Sequence, residues 1–587
     1  MAQIILVGWS LLIGICFYLQ YGGDASALGL LRSWLVAFLL VLASIGFGAR
    51  LMMHQDRSWD TCFVVGLLGW GTLLLPISAL GGLHLSSIFW LPMLYWVWRL
   101  RREIEWPNLT RHWLPFVAYG GVVFWVVSHS SVDTDALYYH VSLPKQMWMQ
   151  NGLLGGELKP NGSRPLLFHL PLSQVYGLGD LLAVGFFCGM ISLLFSLSLI
   201  LRTEGIRKGS SWFVGLLLLG SFSFWEQSSV PANNIMTGFV VWITFWAALK
   251  PRRGWLGILM GLSVAMKYTS AGVVVAIWLM AKIPQRQKVK EASLAICVAG
   301  VWLIRNWLEG VHPLFPYAGW ELDMPFVFVE KYGMGRDWIA MAMLPWNVIM
   351  NAEVDQFQFL GRLSPLFLFA LPFGIWTGIR HSQGRKLLFI TLVGWIFWAL
   401  GPHWIRHLFP MMGLLIFALA ISMDWQRKGV RLASFLAFGL GLFANWNPYA
   451  QRYVGLFDDN VQAPGERAVR WINEHTSPTD EVAYLFAWSG SRVDRRYVLG
   501  SVEDHTPVRH WLLSRQDTAL RDLYNDGVRY VLVGPHRFLH KSYSFLSKEE
   551  FVEQFEKPIE ILEDLLLKES RLVYTDSGYE VYQLVKD

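Results

Sequence analysis

The chain has 587 residues, of which 54% are hydrophobic and 16% are charged, and its mean hydropathy is +0.37. Soluble globular proteins carry about 25% charged residues, so this composition argues against a soluble enzyme and indicates a polytopic α-helical membrane protein. The net charge of +6 fits basic loops at a membrane surface, and no compact basic-aromatic motif for RNA or DNA is present. We therefore expect membrane lipids, and no nucleic acid, among the partners.

Apolar stretches of helical length follow one another over the first 446 residues. Several are shorter than the roughly 20 residues of a standard crossing, which indicates tilted or partly embedded helices. The predicted crossings are 4–20, 29–49, 62–81, 87–100, 113–129, 181–201, 211–225, 233–249, 254–266, 269–282, 291–308, 364–380, 386–401, 406–424 and 431–446.

Lysines and arginines cluster in alternate connections of this series, beginning with Arg50 and Arg57 and ending with Arg427 and Lys428. The positive-inside rule then predicts a cytoplasmic N-terminus and places every cluster on the cytoplasmic side. Counting the crossings in this way requires two short passes over 254–282, because one long pass would place every later basic cluster outside the cell. The charge pattern therefore predicts a turn at Met266–Ser270.

Three polar regions fall on the outer side in this topology, namely the loops 130–180 and 309–363 and the region 447–587. ATP and nucleotide sugars are not available there, so a group donor for outer-face chemistry would be carried on a lipid. The third region is rich in charge and lacks long apolar runs. A helix at Glu466–Glu474, short strands and a hairpin around Asp576–Gly578 predict a small extracytoplasmic α/β domain. The predicted strands are Glu481–Ala487, Tyr497–Val502, Arg529–Val533, Leu572–Thr575 and Tyr579–Leu584.

Ionisable groups are dense just after the apolar run Trp113–Val127, where Asp133, Asp135, Tyr139 and His140 precede Leu143-Pro144-Lys145. Carboxylates beside hydrocarbon are costly to desolvate and are usually functional. The alternative is an ordinary polar loop, with Asp133 as a helix cap and the aromatic residues in an interfacial belt.

Three cations lie at or near the outer ends of predicted helices, namely Lys267, Arg305 and Arg406. The positive-inside rule makes such residues unusual, and pairing with a phosphate would explain them. Snorkelling is the alternative for Lys267, and pairing with a loop carboxylate such as Glu309 or Glu321 is the alternative for the arginines.

Further polar residues lie in the same outer loops. Arg164 precedes an apolar stretch that is typical of an interfacial helix lining a site, and His169 in that stretch favours packing over catalysis. Glu226, Asn233 and Asn234 are expected on the outer side of the membrane, between two crossings.

Four segments resemble the GT-C superfamily of integral-membrane glycosyltransferases, in particular the bacterial branch related to protein O-mannosyltransferases and to the aminoarabinose transferase that modifies lipid A. They are the Asp135–His140 segment with Pro144, the lysine-bearing Gly261–Thr269, Trp302–Trp307 with His312–Pro316, and Arg406–Pro410. The C-terminal domain resembles the periplasmic cap of this branch. The resemblance covers roughly 113–587, which divides the chain into extra N-terminal helices at 1–112, a GT-C-like core at 113–446 and the domain at 447–587.

The resemblance implies roles for these residues. Asp135 corresponds to the catalytic base, with Asp133 as its neighbour, and Lys267 to the residue that contacts the lipid phosphate. Arg305, Arg406, Tyr139, His140, Arg164 and Asn234 are the other candidates for substrate binding. The family often has an acidic residue in the second outer loop, whereas this chain has Asn233-Asn234 preceded by Glu226. We therefore expect no required metal or other cofactor, and a divalent cation is only an alternative.

The sequence thus predicts a glycosyltransferase of the bacterial inner membrane, one that moves a hexosyl or pentosyl group from a polyprenyl-phosphate donor to a lipid, glycan or protein acceptor on the outer face. Two rival hypotheses are a transporter or flippase of a lipid-linked sugar and a non-catalytic membrane assembly subunit. The first would place ionisable groups near the bilayer midplane and broken helices in paired repeats, whereas the charges cluster on the predicted outer face and no repeat is visible in the sequence.

Overall fold

The computed structural model describes residues 27–52, 57–107, 113–127, 140–154, 165–230, 233–249, 255–309, 312–314, 333–352, 359, 361–457, 465–485, 493–499, 512–535 and 547–585. The predicted first crossing, 4–20, lies outside these residues.

The described residues between 27 and 457 form a bundle of apolar helices, as expected for chains that must satisfy their backbone polar groups internally within a bilayer. The first part contains α1 Ala27–Leu51, α2 Trp59–Ala79, α3 Leu83–Ser86, α4 Trp90–Leu100, α5 Trp113–Val127, α6 Ser142–Met149, α7 His169–Leu178, α8 Leu181–Ile206, α9 Ser210–Leu219 and α10 Phe222–Ser229. The second part contains α11 Asn234–Leu249, α12 Trp255–Met266, α13 Ala271–Met280, α14 Gln285–Leu308, α15 Trp338–Ala342, α16 Leu344–Trp346, α17 Leu366–Arg380, α18 Ser382–Ala399, α19 Phe409–Ser422 and α20 Lys428–Phe457. Short 3-10 segments lie at Ser87–Phe89, Tyr268–Ser270 and Ile405–Leu408.

Within the described residues, five helices are long and apolar enough to cross a membrane. They are Leu28–Leu51, Trp59–Ala79, Leu181–Ile206, Gln285–Leu308 and Ile405–Ser422. The predicted crossing 211–225 is wrong as one helix, because α9 ends before Gly220 and the extended residue Ser221 separates it from α10. The last helix of the bundle continues to Phe457, beyond residue 447, where the sequence predicts the start of the C-terminal domain. The first described element of that domain begins at Glu466.

The N-terminal helices share one hydrophobic core with the rest of the bundle. Asp60 in α2 receives two hydrogen bonds from Arg202 in α8, at 2.7 and 2.8 Å. The indole nitrogens of Trp70 and Trp90 both donate to the Oε1 of Gln174 in α7, at 2.8 and 2.9 Å. The described part of the segment 1–112 therefore extends the bundle and is built into it.

The predicted turn at Met266–Ser270 is confirmed. Helix α12 runs parallel to α14, because Gly257 lies against Glu291 and Gly261 lies against Val298. Helix α13 returns to the level of the start of α14, where the indole of Trp278 donates to the carbonyl of Lys288 at 3.0 Å. The segment therefore forms two short passes that meet at Lys267, at the end of the bundle opposite the start of α14.

The basic helix ends are gathered at one end of the bundle. Contacts between them join connections that are far apart in the sequence. These contacts are Arg57 with Glu103, Asp60 with Arg202, Arg207 with Asp424, and Lys386 with the carbonyl of Met280. The close approach of Gly374 to Leu419 connects α17 to the same end. The basic connections thus lie together at one end of the bundle, as the sequence predicts.

The C-terminal domain is a five-stranded sheet with helices on both faces. Its elements are α21 Glu466–His475, β1 Glu481–Leu485, β2 Arg496–Leu499, α22 Ala519–Asn525, β3 Val528–Val533, α23 Lys548–Phe551, α24 Lys557–Glu569, β4 Ser570–Asp576 and β5 Tyr579–Leu584. The strand order is β2-β1-β3-β5-β4, with β1 parallel to β2 and β3, and β5 antiparallel to β3 and β4.

Alternation along the strands assigns their side chains to two cores, as the period of two in a strand requires. Ala483 and Leu485 pack with the α24 side, whereas Val482 and Tyr484 pack with α21. Ser577 and Gly578 connect β4 to β5 with φ values of 52° and 83°. Two consecutive positive φ values are typical of a type I′ turn, so the predicted hairpin is confirmed. The sheet and its helices confirm the predicted α/β fold of this domain.

The packing of α1 on α2 gives a direct test of the N-terminal fold. A Cβ added to Gly66 would lie 1.8 Å from the backbone oxygen of Ser44, whereas a Cβ on Gly300 in α14 would meet no atom within 4 Å. We expect Gly66→Ala to destabilise the protein by about 3 kcal/mol or more, because backbone atoms must move apart. Gly300→Ala, the matched control, should be neutral or stabilising by up to about 1 kcal/mol. Thermal unfolding of both variants in detergent measures the difference, and equal melting temperatures would contradict this packing.

Candidate functional site

The break between α12 and α13 presents Lys267 to two neighbouring asparagines. The ammonium of Lys267 donates to the Oδ1 of Asn234 at 2.5 Å, and the Asn234 amide donates to Gln227 at 2.6 Å. Asn233 donates to the carbonyl of Met266, the last residue of α12, at 2.8 Å. Asn233 and Asn234, which the sequence places on the outer side of the membrane, lie at the Lys267 end of the bundle and are both buried against this break. They position the lysine and the end of its helix.

Arg406 lies at the same end of the bundle, in the 3-10 turn Ile405–Leu408 before α19. Its guanidinium stacks over Trp404, 4.2 Å from the ring centroid. The charges of both Arg406 and Lys267 act on His407, which places two cations around one imidazole. The turn is held in place because Gly238 of α11 approaches the carbonyl of Phe409 closely, so that a Cβ added to Gly238 would lie 2.7 Å from its oxygen.

A cavity of about 170 Å³ opens beside these cations, between the starts of α13 and α19 and the end of α18. Its apolar wall includes Val273, Phe397, Trp398, Pro410 and Met411. Thr269 and His407 line it as well, and within the described residues the Thr269 hydroxyl and the His407 Nδ1 make no hydrogen bond. The cavity thus combines an apolar wall with polar groups that are available to a ligand.

Two glycines leave room for this cavity. A Cβ on Gly272 would lie 2.5 Å from the ring of Phe397, and one on Gly394 would lie 3.0 Å from the sulfur of Met411. Both glycines line the cavity. Larger residues at either position would fill it or push α13 away from α18.

Arg305 is held by partners within the protein. Its guanidinium pairs with Glu309 at 3.0 Å and also donates to the carbonyl of Leu154. Burial raises the pKa of the Glu309 carboxyl, and the charge of Arg305 opposes that shift. Arg305 lies close enough to Tyr268 for the two groups to interact electrostatically. The pairing alternative for Arg305 is therefore the one seen here, and the arginine fixes the rim of the site.

His140 and His169 form a buried pair. The Nδ1 of His140 lies 3.0 Å from the Nε2 of His169, and the two rings are parallel with centroids 5.2 Å apart. One nitrogen must donate and the other accept, so this contact needs at least one neutral ring. The expected packing role of His169 agrees with its burial. Asp133, Asp135, Tyr139 and Arg164 lie outside the described residues, so their roles stay predictions.

Glu226, which the sequence places on the outer side of the membrane, and Arg362, which the sequence pattern does not single out, belong to the same end of the bundle. Glu226 is buried in α10, near Gly361. Arg362 and Ser223 exchange hydrogen bonds, and Arg362 also donates to the carbonyl of Ala352 at 2.8 Å. Arg362 could have been found by the reasoning that selected Arg305, since it too is an arginine in an outer loop.

No group of three or more histidine, cysteine, aspartate or glutamate side chains is placed to hold a metal ion in the part of the chain that the structure describes. The positive charge near the cavity comes from the side chains of Lys267 and Arg406. Such cations suit an anionic ligand such as a phosphate.

Solved structures with a similar fold are known. The chain matches the crystal structure of ArnT from Cupriavidus metallidurans bound to undecaprenyl phosphate, with a TM-score of 0.50 and 14% sequence identity over 80% of this chain and 97% of that chain. The apo structure of the same protein matches with a TM-score of 0.48 and the same identity and coverage. No protein-family model matches the chain, and the search of curated proteins finds no match. The fold expected from the resemblance is thus confirmed: the chain shares with the undecaprenyl phosphate-bound ArnT structure a fold of apolar helices with a small C-terminal sheet domain.

His403 links the loop at 333–336 to this end of the bundle and is fully buried. It stacks on Phe359 with a centroid distance of 5.9 Å, and Arg336 donates to its Nε2 and to two backbone carbonyls, those of Ala399 and Gly401. Burial, together with the charge of Arg336, lowers the pKa of His403 to about 4. The imidazole is therefore neutral at physiological pH.

A pH dependence of stability follows from His403. The unfolded chain takes up a proton near pH 6.5 and the folded protein only near pH 4, so stability is full above pH 6.5 and falls as the pH decreases toward 4. We expect a loss of about 2 kcal/mol after allowance for solvent screening. His403→Gln should make thermal unfolding less sensitive to pH in this window, whereas His475→Gln, at an exposed histidine, should not. An unchanged pH dependence in His403→Gln would contradict this assignment.

Proposed function

We propose that the protein is a glycosyltransferase that moves a sugar from a polyprenyl-phosphate donor to an acceptor at the outer face of the bacterial inner membrane. The observation that carries the proposal is the meeting of Lys267, Arg406 and the cavity at one end of an apolar bundle. Cations beside an apolar cavity suit a ligand that joins a phosphate to a hydrocarbon chain. Neither a free nucleotide nor a soluble sugar needs that combination.

The proposed reaction is a displacement at the anomeric carbon. The acceptor oxygen bonds to this carbon while the bond from the carbon to the phosphate oxygen breaks, and polyprenyl phosphate leaves. Asp135 takes the proton of the acceptor hydroxyl, with Asp133 as the alternative base. Lys267 and Arg406 stabilise the charge that develops on the departing phosphate, and Asn234 orients Lys267.

The charge asymmetry of the bundle supports the sidedness. Basic connections lie at the end opposite Lys267, and the positive-inside rule assigns that end to the cytoplasm. The N-terminus would then be cytoplasmic, and the C-terminal domain and the site would face outward. A sugar donor that is made in the cytoplasm must cross the membrane to reach a site on the outer face, and a lipid carrier can bring it there.

The structural neighbour supports the donor class. The ArnT structure contains undecaprenyl phosphate, and it shares its fold with this chain over 80% of the chain. We extend the lipid-phosphate ligand to this protein as part of the proposal. The acceptor belongs to one of three classes, a lipid headgroup, a glycan or a protein hydroxyl. The proposal includes no required metal, since side-chain cations stand where the phosphate charge would develop, and activity in EDTA tests this point.

Replacement of the two central residues tests the proposal with purified protein and radiolabelled polyprenyl-phosphate sugars. We expect Asp135→Asn to lower kcat by about 10²- to 10⁴-fold, because the acceptor proton loses its base. Lys267→Met should weaken donor binding by roughly 10- to 100-fold, because a charge-assisted hydrogen bond to the phosphate is lost. Asp133→Asn and Lys290→Met are the matched controls, the second at an exposed lysine of the basic end.

The outcomes separate the hypotheses. If Asp133→Asn abolishes transfer and Asp135→Asn does not, the base is Asp133. Labelled donor that crosses a liposome membrane without cleavage of its sugar–phosphate bond would establish a flippase and contradict the proposal. Absence of both donor binding and turnover with every donor class would favour an assembly subunit.

A further inference from the structure

Helix α6 begins two residues after His140 and lies against the C-terminal domain. We propose that the C-terminal domain acts on the reaction by positioning α6, through Gln146 and Lys145, and with it the segment that carries His140 and Asp135. This inference rests on the proposed function. It assigns the two side chains of α6 as positioning residues, which touch neither the donor nor the acceptor.

Gln146 completes the edge of the sheet. Strand β2 is at the edge of the described sheet, so one row of its backbone groups has no neighbouring strand among the described residues. The side-chain nitrogen of Gln146 donates to the carbonyl of Arg495 at 3.0 Å, and its side-chain oxygen accepts from the backbone nitrogen of Tyr497 at 3.2 Å. A residue of a parallel strand would bond the same two groups, on either side of Arg496. One amide side chain thus stands in for one residue of a sixth strand.

Lys145 adds a charged contact to the same segment. Its ammonium lies 2.8 Å from the Oδ1 of Asp494, and the lysine side chain is 4% exposed whereas the aspartate side chain is 67% exposed. Burial lowers the pKa of Lys145, and the hydrogen bond to Asp494 opposes that shift. Charge is costly to bury without an opposite charge nearby, so Asp494 favours the docked position of α6.

The segment of the domain that meets α6 is itself fixed. Arg495 is buried, and its guanidinium donates to the carbonyls of Asn473 and Thr476 at 2.8 and 2.7 Å. Asp494 receives a further restraint, because its backbone nitrogen donates to the side chain of Asn473 at 2.8 Å. The contact surface is thus tied to the end of α21 and moves with the whole domain.

The other end of α6 is fixed by the N-terminal helices. The Nε2 of His84 lies 2.6 Å from the carbonyl of Trp148, and the backbone nitrogen of His84 donates to the side chain of Asn151 at 2.7 Å. The ring of Trp148 packs on Gly177 of α7 so closely that a Cβ there would lie 1.8 Å from it. Helix α6 is therefore held at its end by the N-terminal helices and α7, and at Lys145 and Gln146 by the C-terminal domain.

This arrangement predicts different effects of α6 on donor binding and on kcat. The proposed phosphate ligands Lys267 and Arg406 lie on other segments, so loosening α6 should leave donor binding largely intact. Misplacing a catalytic group by about 1 Å can lower a rate by about 10²-fold. We therefore expect Gln146→Leu and Asp494→Asn to lower kcat by roughly 10- to 100-fold, with the donor KM changed by less than about threefold.

The full-length protein provides the test. Turnover is measured for Gln146→Leu, Asp494→Asn and the control Asp522→Asn, which removes an acidic group of the same domain outside the α6 contact. Lys145→Glu combined with Asp494→Lys should recover part of the activity that Lys145→Glu loses, because the ion pair is rebuilt in reverse. Unchanged kcat in both Gln146→Leu and Asp494→Asn, or a rise in donor KM equal to the fall in kcat, would overturn the inference.

Hydrogen exchange of the α6 amides gives a readout that does not depend on activity. Gln146→Leu and Asp494→Asn should increase exchange over 142–149 by several-fold, and Asp522→Asn should not. Unchanged exchange in both variants overturns the positioning role. A wild-type protein that binds no donor and transfers no sugar, yet shows this exchange pattern, would instead contradict the proposed function alone. Asp494 is exposed, so its variant keeps the test valid if Gln146→Leu does not fold.

Discussion

The architecture depends on the cost of keeping a cation in an apolar helix. Twelve residues of apolar sequence end at Met266, and the next residue is Lys267. An ammonium at that depth needs polar partners, and the helix breaks there, so that Lys267 meets Asn234 instead of continuing through hydrocarbon. The break creates two short passes in place of one, keeps the basic connections at one end of the bundle, and opens the cavity beside Thr269. One partly buried charge thus shapes both the topology and the site.

Much of the fold could be predicted because it follows from local patterns. The turn at Lys267 came from counting charges, and the hairpin at Ser577-Gly578 came from residues that tolerate positive φ. The break at Gly220 was missed because the apolar sequence continues across it. In the site, Lys267 and Arg406 could be predicted as neighbours from their outward charge, while the Arg305–Glu309 pair appeared only as an alternative. The contact of Gln146 with Tyr497 spans 351 residues, and no periodicity in a single sequence reveals such a pair.

The helices before residue 113 have a structural reason to exist. They share the core of the bundle, hold α7 through Gln174 and fix the end of α6 through His84. The C-terminal domain holds the same short helix from the other side. The helices before residue 113 and the C-terminal domain therefore both contact α6, the helix that follows the candidate base in the sequence.

The position of the phosphate tests the central claim most directly. A structure of the protein with a short-chain polyprenyl phosphate should place a phosphate oxygen within ~3 Å of the Lys267 ammonium and of the Arg406 guanidinium, the distance of a charge-assisted hydrogen bond. The first isoprene units should lie along the wall that includes Phe397 and Met411. A phosphate bound elsewhere, with Lys267 still held by Asn234 and the cavity empty, would contradict the account.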